Sequence, residues 1–300
     1  MSAMDVQLIH FNRPETALRC SELWLSAGAR RVVIWDNASI PGALAALDRA
    51  IGQRTDLVIR RLPENLGFAG AAAAAVEHLS ESDCDSVLIA AHDAEPASGA
   101  VRHLADAISH TPSLGVLFPS GSGSVFEAWH AVRGGRRVAS GGESGADLVD
   151  CAYADAAAFI LTRKAVEAGV RPDPALFCYW EECDLGLQAR RLGLRVVSAT
   201  RAIVRNGEVA TSFTVPGCVA YLQARNSVYL ARKHSSRPFQ LLRGLALAIL
   251  STIRALDPRP PHFSLDPLPR LRGVAAGLLS RMGPPPCALP SGSRPRRALR

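Results

Sequence analysis

A cluster of carboxylates begins a predicted helix within the segment Phe177–Arg190. Glu181, Glu182 and Asp184 fall within four positions and directly follow the aromatic pair Tyr179–Trp180. Carboxylates this close raise one another's pKa, so one of them could accept a proton near neutral pH. Acidic residues also favour the first turn of any helix, so the cluster alone is equally consistent with a solvated helix start.

A second acidic pair, Asp93 and Glu95, follows the continuous apolar run 86–91. Two carboxylates at this spacing could bind a hard divalent cation, Mg²⁺ or Mn²⁺, through oxygen. A cation held there would neutralise a diphosphate. The alternative is a simple turn in which Asp93 caps a helix beginning near Ser98.

Two further polar turns could recognise a nucleotide. Asp36, followed by Asn37, could accept hydrogen bonds from a base or a ribose, and the segment Asn65–Phe68 could direct backbone N–H groups of a helix start toward phosphate. Both are also ordinary turn sequences. The sequence contains neither GxGxxG nor GxxxxGK[ST], which excludes the dinucleotide and P-loop fingerprints.

The elements that must position these groups alternate along the first 120 residues. Short apolar strands are predicted at 6–10, 31–35, 57–59, 86–91 and 115–118, with helical patterns between them. This alternation predicts an α/β fold with a mostly parallel sheet and helices on both faces. Ligands of such sheets bind beyond the carboxyl ends of the strands, where Asp36, Asn65 and Asp93 lie.

The remainder of the chain is less regular. The Gly/Ser-rich stretch 121–145 predicts a mobile insertion or a crossing hairpin, and 147–161 resumes strand character. Further strands are predicted at 194–198 and 202–204, and helices at 163–169, 182–192, 219–233, 239–256 and 268–282. We therefore expect a catalytic domain over 1–210, a C-terminal helical region over 211–283, and a disordered, basic, Pro-rich tail over 284–300.

Composition narrows the class of protein. The 300 residues are 48% hydrophobic and 20% charged, which is typical of a globular chain with a substantial core. The net charge is +7, but the basic residues are scattered, which argues against nucleic-acid binding. The seven cysteines lack a CxxC and predict reduced thiols. Neither a signal-peptide pattern nor a spanning apolar stretch is present, so we expect a cytoplasmic protein.

Taken together, the motifs resemble the family 2 glycosyltransferases of GT-A fold, a Rossmann-like fold, and especially their rhamnosyltransferase-like and galactofuranosyltransferase-like branch. The resemblance runs from about residue 5 to about residue 283 in a consistent order. The matching segments are His10–Pro14, Asp36–Ser39 (DNAS), Asn65–Gly70 (NLGFAG), Asp93 at the DxD-type position, Phe177–Arg190 (compare FxYxEDxDLxxR) and Arg225–Asn226.

The resemblance implies an inverting transfer of a sugar from a nucleoside-diphosphate sugar to an acceptor hydroxyl. It favours dTDP-rhamnose or a UDP-hexose as donor, and a glycan, a glycolipid or a natural-product scaffold as acceptor, as in cell-wall or polysaccharide biosynthesis. Glu182 falls where the family has its general base, with Glu181 or Asp184 positioning the acceptor. The family usually has Asp at this base position, one methylene shorter than Glu182.

The same resemblance implies a donor site and a metal. Asp93 would hold Mg²⁺ or Mn²⁺ against the diphosphate, with Glu95 assisting. After strand 202–204 the family usually supplies a His ligand, whereas this chain has Arg205 and Asn206. Asn206 could offer an oxygen to the metal, and Arg205 could partly replace the cation as a diphosphate clamp. The donor-binding set implied is Arg13, Asp36, Asn65, Gly67 and Arg205.

Two alternatives remain open from the sequence. One is a degenerate transferase domain that binds nucleotide or glycan as a scaffold, since the late His is absent and 71–75 is all alanine where the family often has Asn. The other is a nucleotidyltransferase with a similar α/β layout. That class usually has a Gly-rich, Arg/Lys-bearing phosphate loop after the first strand, which residues 10–14 do not provide.

The predicted helix 239–256 has an apolar face between basic residues, including Arg237 and Arg254. A basic amphipathic helix can lie on an anionic membrane surface, which would suit a lipid-linked acceptor at the inner face of the plasma membrane. The same pattern is produced by a helix packed on the catalytic domain or at a homodimer interface.

Overall fold

A computed structural model of the chain describes residues 4–80, 84–121, 124–137, 147–207, 217–257 and 265–286. The strands are β1 Asp5–His10, β2 Arg31–Asp36, β3 Leu57–Arg61, β4 Ser86–Ala91, β5 Ala94–Pro96, β6 Leu114–Ser120, β7 Val125–His130, β8 Gly134–Arg137, β9 Leu148–Asp150, β10 Tyr153–Ala154, β11 Ala158–Thr162 and β12 Arg195–Asn206. The helices are α1 Pro14–Ser26, α2 Pro41–Ile51, α3 Gly67–Ser80, α4 Ala100–His110, α5 Arg163–Glu167, α6 Glu181–Arg191, α7 Cys218–His234, α8 Arg237–Ala255 and α9 Pro267–Leu278, with a 3-10 turn at Pro174–Leu176.

The central sheet has the strand order β3-β2-β1-β4-β11-β6-β12-β5, and β9 also pairs with β12. Strands β3, β2, β1 and β4 are mutually parallel, as are β6 and β12, whereas β11 is antiparallel to both of its neighbours. The prediction of a mainly parallel sheet is therefore confirmed. A separate antiparallel sheet, β10-β7-β8, includes the hairpin predicted for the Gly/Ser-rich stretch; residues 122–123 and 138–146 of that stretch lie outside the described residues.

Both faces of the central sheet are buried. Along β4, Val87 and Ile89 pack into the cluster formed with α3, α5 and α6, while Leu88 and Ala90 pack into the cluster formed with α1, α2 and α4. Because neighbouring side chains of a strand point to opposite faces, a strand covered on both sides reads as an unbroken apolar run. This is why the sequence of the central strands identifies them so clearly.

Two elements at the edge of the sheet differ from prediction. Strand β12 is one continuous strand with a register shift between Ala199 and Ile203, where two separate strands were predicted. Its end pairs antiparallel with β5, so that Arg205 lies opposite Glu95 and Asn206 opposite Ala94. The sequence predicted only a turn at β5, because three residues ending in proline carry no periodic signal.

The three C-terminal helices pack on one another through small residues. A Cβ on Gly273 of α9 would lie 2.2 Å from the carbonyl oxygen of Tyr221, and one on Gly277 would lie 2.6 Å from that of Arg225. Only glycine allows α9 to approach the backbone of α7 this closely. None of the described helices is long and apolar enough to cross a membrane. The predicted domain boundaries remain predictions, and residues 287–300 of the predicted tail lie outside the described residues.

The prediction that the cysteines are reduced is wrong for one of them. Five described cysteines carry free thiols, but Cys218, at the start of α7, is disulfide-bonded. A disulfide requires two sulfur atoms about 2 Å apart, a proximity that spacing along the chain does not reveal.

Candidate active site

Three polar loops at the carboxyl ends of β1, β2 and β3 are joined by hydrogen bonds. His10 and Asp36 are the last, register-paired residues of β1 and β2, and both are buried. Nε2 of His10 accepts from the backbone N–H of Arg13 at 3.0 Å, so Nδ1 carries the ring proton and donates it to Asp36 Oδ1 at 3.0 Å. The backbone N–H of Ser39 donates to the other carboxylate oxygen of Asp36 at 3.2 Å.

These contacts give Asp36 an organising role. Burial alone would raise the pKa of its carboxyl, but the hydrogen bonds from His10 and Ser39 outweigh burial and lower the pKa. The residue is 1% exposed, and each of its oxygens already accepts a hydrogen bond within the protein. In the structure Asp36 fixes the loops that border this edge of the sheet, and its contact with the nucleotide remains a prediction.

The loop after β2 also holds the loop after β3, through a residue that was not among the predicted site residues. Nδ2 of Asn37 donates to the carbonyl oxygen of Gly67 at 3.0 Å, and its Oδ1 accepts from the backbone N–H of Leu66 at 2.9 Å. Oδ1 of Asn65 accepts from the backbone N–H of Gly67 at 2.9 Å. The side chains of Asn37 and Asn65 therefore shape the start of α3.

The start of α3 meets the acidic segment directly. The backbone N–H of Ala69 donates to the carbonyl oxygen of Phe177 at 3.1 Å. Gly67 has φ +71°, and a Cβ there would lie 2.1 Å from that same oxygen. Any other residue at position 67 would collide with Phe177, so the glycine of NLGFAG is what allows the two motifs to touch.

The four residues before α6 form a strained loop. Phe177, Tyr179 and Trp180 have φ values of 65°, 73° and 77°, in the left-handed region that bulky residues rarely occupy. Such backbone persists only when its surroundings hold it, and it concentrates at functional sites. The conformation turns the chain sharply so that Glu181 and Glu182 begin α6 next to the loop.

A buried pair on α7 holds this loop in place. Nδ2 of Asn226 donates to the carbonyl oxygens of Leu176, Cys178 and Tyr179 at 3.0, 2.8 and 2.9 Å. Nη2 of Arg225 donates to the Leu176 carbonyl at 2.8 Å, and its Nε donates to Asn226 Oδ1 at 2.9 Å. The Arg-Asn motif thus satisfies the carbonyl groups that the strained backbone directs inward.

Glu181 and Glu182 lie in an environment that favours their protonated forms. Glu181 is 2% exposed, its Oε1 has no hydrogen-bond partner in the described part of the chain, and burial raises its pKa to about 7. Glu182 keeps partial exposure; burial, and then the charges of Glu181 and Asp155, hold its pKa well above the usual range. A carboxyl with a raised pKa is suited to accept a proton near neutral pH.

Asp184, three residues further along α6, lies in a different environment. It is fully buried, and its Oδ2 accepts from Lys233 Nζ and Gln188 Nε2 at 2.8 Å each, while Oδ1 lies 2.6 Å from His234 Nε2. Both oxygens of Asp184 have partners within the protein, and its role in positioning the acceptor remains a prediction. Its carboxylate joins α6 to the end of α7.

Asp155 is a fourth acidic group of this region that sequence reasoning missed. It follows β10; the residue is exposed, and partial desolvation of its carboxyl is the main cause of its raised pKa. Its charge in turn contributes to the raised pKa of Glu182. The only signal in the sequence was a single carboxylate within the alanine-rich run 154–158, which resembles an ordinary loop residue.

The predicted metal residues lie together at β5 and the end of β12. Asp93 occupies the turn before β5, and burial, with the charge of Glu95, raises its pKa. Nη2 of Arg19 lies 2.5 Å from Glu95 Oε1, so that carboxylate already has a cationic partner. Asn206, opposite Ala94, and Arg205, opposite Glu95, are both exposed.

A divalent cation fits this set through oxygen. No side chain of the described residues donates to the Asp93 carboxylate, and a cation would relieve the electrostatic cost of its burial. The described residues contain no group of three or more His, Cys, Asp or Glu that could hold a metal. Mg²⁺ is commonly bound by one or two carboxylates, with substrate phosphates and water as its other ligands, and Asp93 with Asn206 matches that pattern.

The acidic loop and Asp93 lie within electrostatic range of the same thiol. The Cys178 thiol is half-buried, and its pKa is raised well above the usual range by burial and then by the charges of Glu181, Glu182 and, least, Asp93. The two acidic motifs, far apart in sequence, therefore lie in the same region of the fold.

Comparison with known proteins bears on the fold. No known family matches the sequence, and no curated protein matches it. Among solved structures, the mannosyltransferase PcManGT from Pyrobaculum calidifontis, in complex with GDP-Man and Mn²⁺, is similar over 92% of this chain and 86% of its own, with TM-score 0.57 and 14% identity.

GalNAc-T7 with UDP, GalNAc and Mn²⁺ is similar with TM-score 0.60 and 14% identity. The match covers 81% of this chain and 55% of that one, so this chain spans about half the length of GalNAc-T7. At these identities the likeness establishes the fold, which is the GT-A fold of glycosyltransferases, as the sequence predicted.

Proposed function

We propose that this protein is an inverting glycosyltransferase that moves a sugar from a nucleoside-diphosphate sugar to an acceptor hydroxyl. The observation that carries the proposal is the strained loop that begins α6 with Glu181 and Glu182 in a GT-A fold, with Asp93 in electrostatic range of Cys178 in that loop. The GDP-Man bound to PcManGT, and the UDP and GalNAc present with GalNAc-T7, support the substrate class. The sequence resemblance favours dTDP-rhamnose or a UDP-hexose as donor.

Glu182 is the general base in this proposal. Its raised pKa and partial exposure suit a group that removes the proton of the acceptor hydroxyl as oxygen attacks the anomeric carbon. One bond forms from the acceptor oxygen to the sugar, and the bond from the sugar to the diphosphate breaks. Glu181 keeps the base's pKa raised, and the Asn226 clamp keeps the loop in its strained conformation.

Asp93 and Asn206 would hold the divalent cation, Mg²⁺ or Mn²⁺, which stabilises negative charge on the departing diphosphate when bound. Arg205 and Arg13 supply positive charge to the same edge. Glu95, paired with Arg19, positions the short β5 strand beside Asp93. The presence of Mn²⁺ in both neighbouring structures supports a cation requirement.

Calorimetric titration with UDP, dTDP and GDP, each with and without Mn²⁺, tests the donor site. We expect one nucleotide to bind more tightly with Mn²⁺, and Asp93→Asn to remove that metal-dependent gain. Binding that ignores both metal and Asp93→Asn would refute the cation site. Nucleotide binding without turnover of the matching sugar donor, across a panel of acceptor sugars, would favour a non-catalytic scaffold.

A further inference from the structure

The most exposed apolar surface of the described chain lies on α8. Leu241, Leu242, Leu245, Ile249, Ile253 and Leu256 are each between 50% and 80% exposed. They recur at helical spacing and cover about 22 Å along one side of the helix, given a rise of 1.5 Å per residue. We refer to these six residues as the α8 face. Single exposed apolar residues are ordinary, whereas a continuous row marks a contact surface.

The opposite side of α8 is the one that packs on the protein. Gln240, Gly244, Leu247 and Ser251 are buried, and Gln240 Nε2 donates to the Gly277 carbonyl at 2.9 Å. The helix is therefore anchored through Leu247 and through polar and small residues, and it exposes most of its larger apolar residues. An amphipathic helix that only packed on the domain would show the reverse arrangement.

Charge near the α8 face is positive. No Asp or Glu occurs between Arg237 and Leu256, and the sequence 217–286 contains ten Lys or Arg against two Asp. Arg237, exposed in the first turn, begins the helix, and Arg254 lies in its last turn, where it forms an ion pair with Asp257. A second copy of the chain docked through this face would bring like charges together, whereas a surface of anionic lipid would complement them.

A basic pocket adjoins the start of α8. It has a volume of about 420 Å³ and lies between α6, the β7–β8 hairpin and Phe239; its lining includes Trp129, His130, Leu187, Arg190 and Arg191. Arg190 and Arg191 donate to backbone carbonyls, and neither forms an ion pair with a carboxylate in the described part of the chain. Phe239, 40% exposed, both lines this pocket and precedes the α8 face by two residues.

We propose that α8 lies in the interface of an anionic lipid bilayer, with the α8 face toward the acyl chains and the Arg190–Arg191 pocket receiving lipid phosphate. Apolar side chains bordered by cations are the features by which a helix binds at the plane of a membrane without crossing it. This inference does not depend on the proposed glycosyl transfer. If both hold, the enzyme is presented to acceptors that carry a lipid.

Sedimentation with vesicles of phosphatidylcholine, alone or with about one third phosphatidylglycerol, tests the proposal. We expect the wild-type chain to bind the anionic vesicles, to bind neutral vesicles much less, and to be released by high salt. The double variant Leu245→Glu/Ile249→Glu should lose at least about tenfold in partitioning, since two apolar contacts are replaced by charges that the lipid repels.

Ile40→Glu is the matched control. Ile40 is 46% exposed, close to the 50% of Ile249, but it lies at the start of α2 and should bind vesicles like wild type. Arg190→Gln/Arg237→Gln should reduce the preference for anionic over neutral vesicles. Circular dichroism and thermal melting establish that each variant is folded.

Three outcomes would overturn the proposal. The first is absence of binding by the wild-type chain to anionic vesicles, and the second is equal binding by Leu245→Glu/Ile249→Glu. The third is a dimer, seen by sedimentation velocity, that Ile249→Glu dissociates while vesicle binding is absent. That last result would assign the α8 face to a second copy of the chain.

Discussion

Two carboxylate sites on one helix, Glu181–Glu182 and Asp184, have opposite environments. Asp184 is enclosed by Lys233, His234 and Gln188, so that both of its oxygens are satisfied. Glu181, three residues earlier, has a buried oxygen without a partner in the described residues, and burial raises its pKa to about 7. Carboxylates close in sequence therefore differ according to what packs against each turn of the helix: Asp184 is paired, and Glu181 has an unpaired oxygen in the described residues and a raised pKa.

The difference reflects two parts of α7. Its middle turn supplies Asn226, which holds the backbone of the acidic loop through its carbonyl groups; among the described residues, no cation pairs with Glu181 or Glu182. Its last turn supplies Lys233, which forms an ion pair with Asp184, and His234, whose Nε2 lies 2.6 Å from Asp184 Oδ1. Paired, hydrogen-bonded carboxylates stabilise a fold, whereas unpaired buried ones reduce its stability and are retained where function requires them.

The largest effect is expected at Glu182. Glu182→Gln removes the proton acceptor and should reduce transfer about a thousandfold, while donor binding and thermal stability change little. Initial rates with a matched donor and acceptor measure this. Glu167→Gln, an exposed glutamate at the end of α5, is the control. A Glu182→Gln enzyme with normal turnover would exclude Glu182 as the base.

Substitution of Asp184 should reduce stability more than activity, the reverse of the effect expected at Glu182. Asp184→Ala leaves Lys233 without one of its two carboxylates and should lower the free energy of unfolding by about 3 kcal/mol. Activity per folded molecule should remain measurable. Urea unfolding monitored by fluorescence tests this, with Asp106→Ala, an exposed helical aspartate, as the control. Unchanged stability combined with lost activity would place Asp184 in the site instead.

Asn226 should affect both properties. Asn226→Ala removes the donor shared by three loop carbonyls, so we expect about 2 kcal/mol of destabilisation together with reduced turnover. Gln240→Ala deletes another buried amide, which donates to the carbonyl oxygen of Gly277 on α9 and not to the acidic loop, and should lower stability alone. If the two variants lose activity equally, the clamp has no specific role in positioning Glu182.

The smallest expected effect is a shift in the pH dependence of kcat/KM. The charge of Glu181 raises the pKa of Glu182, so Glu181→Gln should move the acidic limb of the kcat/KM profile to lower pH, by about one unit. Asp155→Asn should shift it in the same direction, since Asp155 acts on Glu182 with the same sign. A limb that stays in place in both variants would contradict the electrostatic coupling.

The free energy of unfolding should also depend on pH, through the protonation of Glu181. The pKa of Glu181 is about 7 in the fold against 4.5 without the fold's influence, so the folded chain binds more protons between these values. Stability should therefore fall as pH rises from 4.5 to about 7. Glu181→Gln should flatten that dependence, measured as the melting temperature across the range. An unaltered slope would indicate that Glu181 ionises as readily as in the unfolded chain.

Sequence reasoning succeeded where the signal is local and periodic. The apolar runs of β1, β2 and β4 identified the parallel sheet because each is covered on both faces. It failed at β5, which is too short to have a period, and at Cys218, whose disulfide depends on proximity across the fold. The site residues that were proposed from motifs remain proposals, to be settled by the experiments above.

The sequence by itself determined the α/β layout, the positions of the acidic motifs and the glycine that lets NLGFAG meet the loop before α6. These follow from periodicity and from residue types that only certain backbone conformations accept. Only the tertiary structure decided which carboxylates are paired. Burial in the folded chain raises the pKa of Glu181, and burial with the charges of Glu181 and Asp155 raises that of Glu182. The partners of Asp184, by contrast, include Lys233 and His234 of α7, about fifty residues away in the chain.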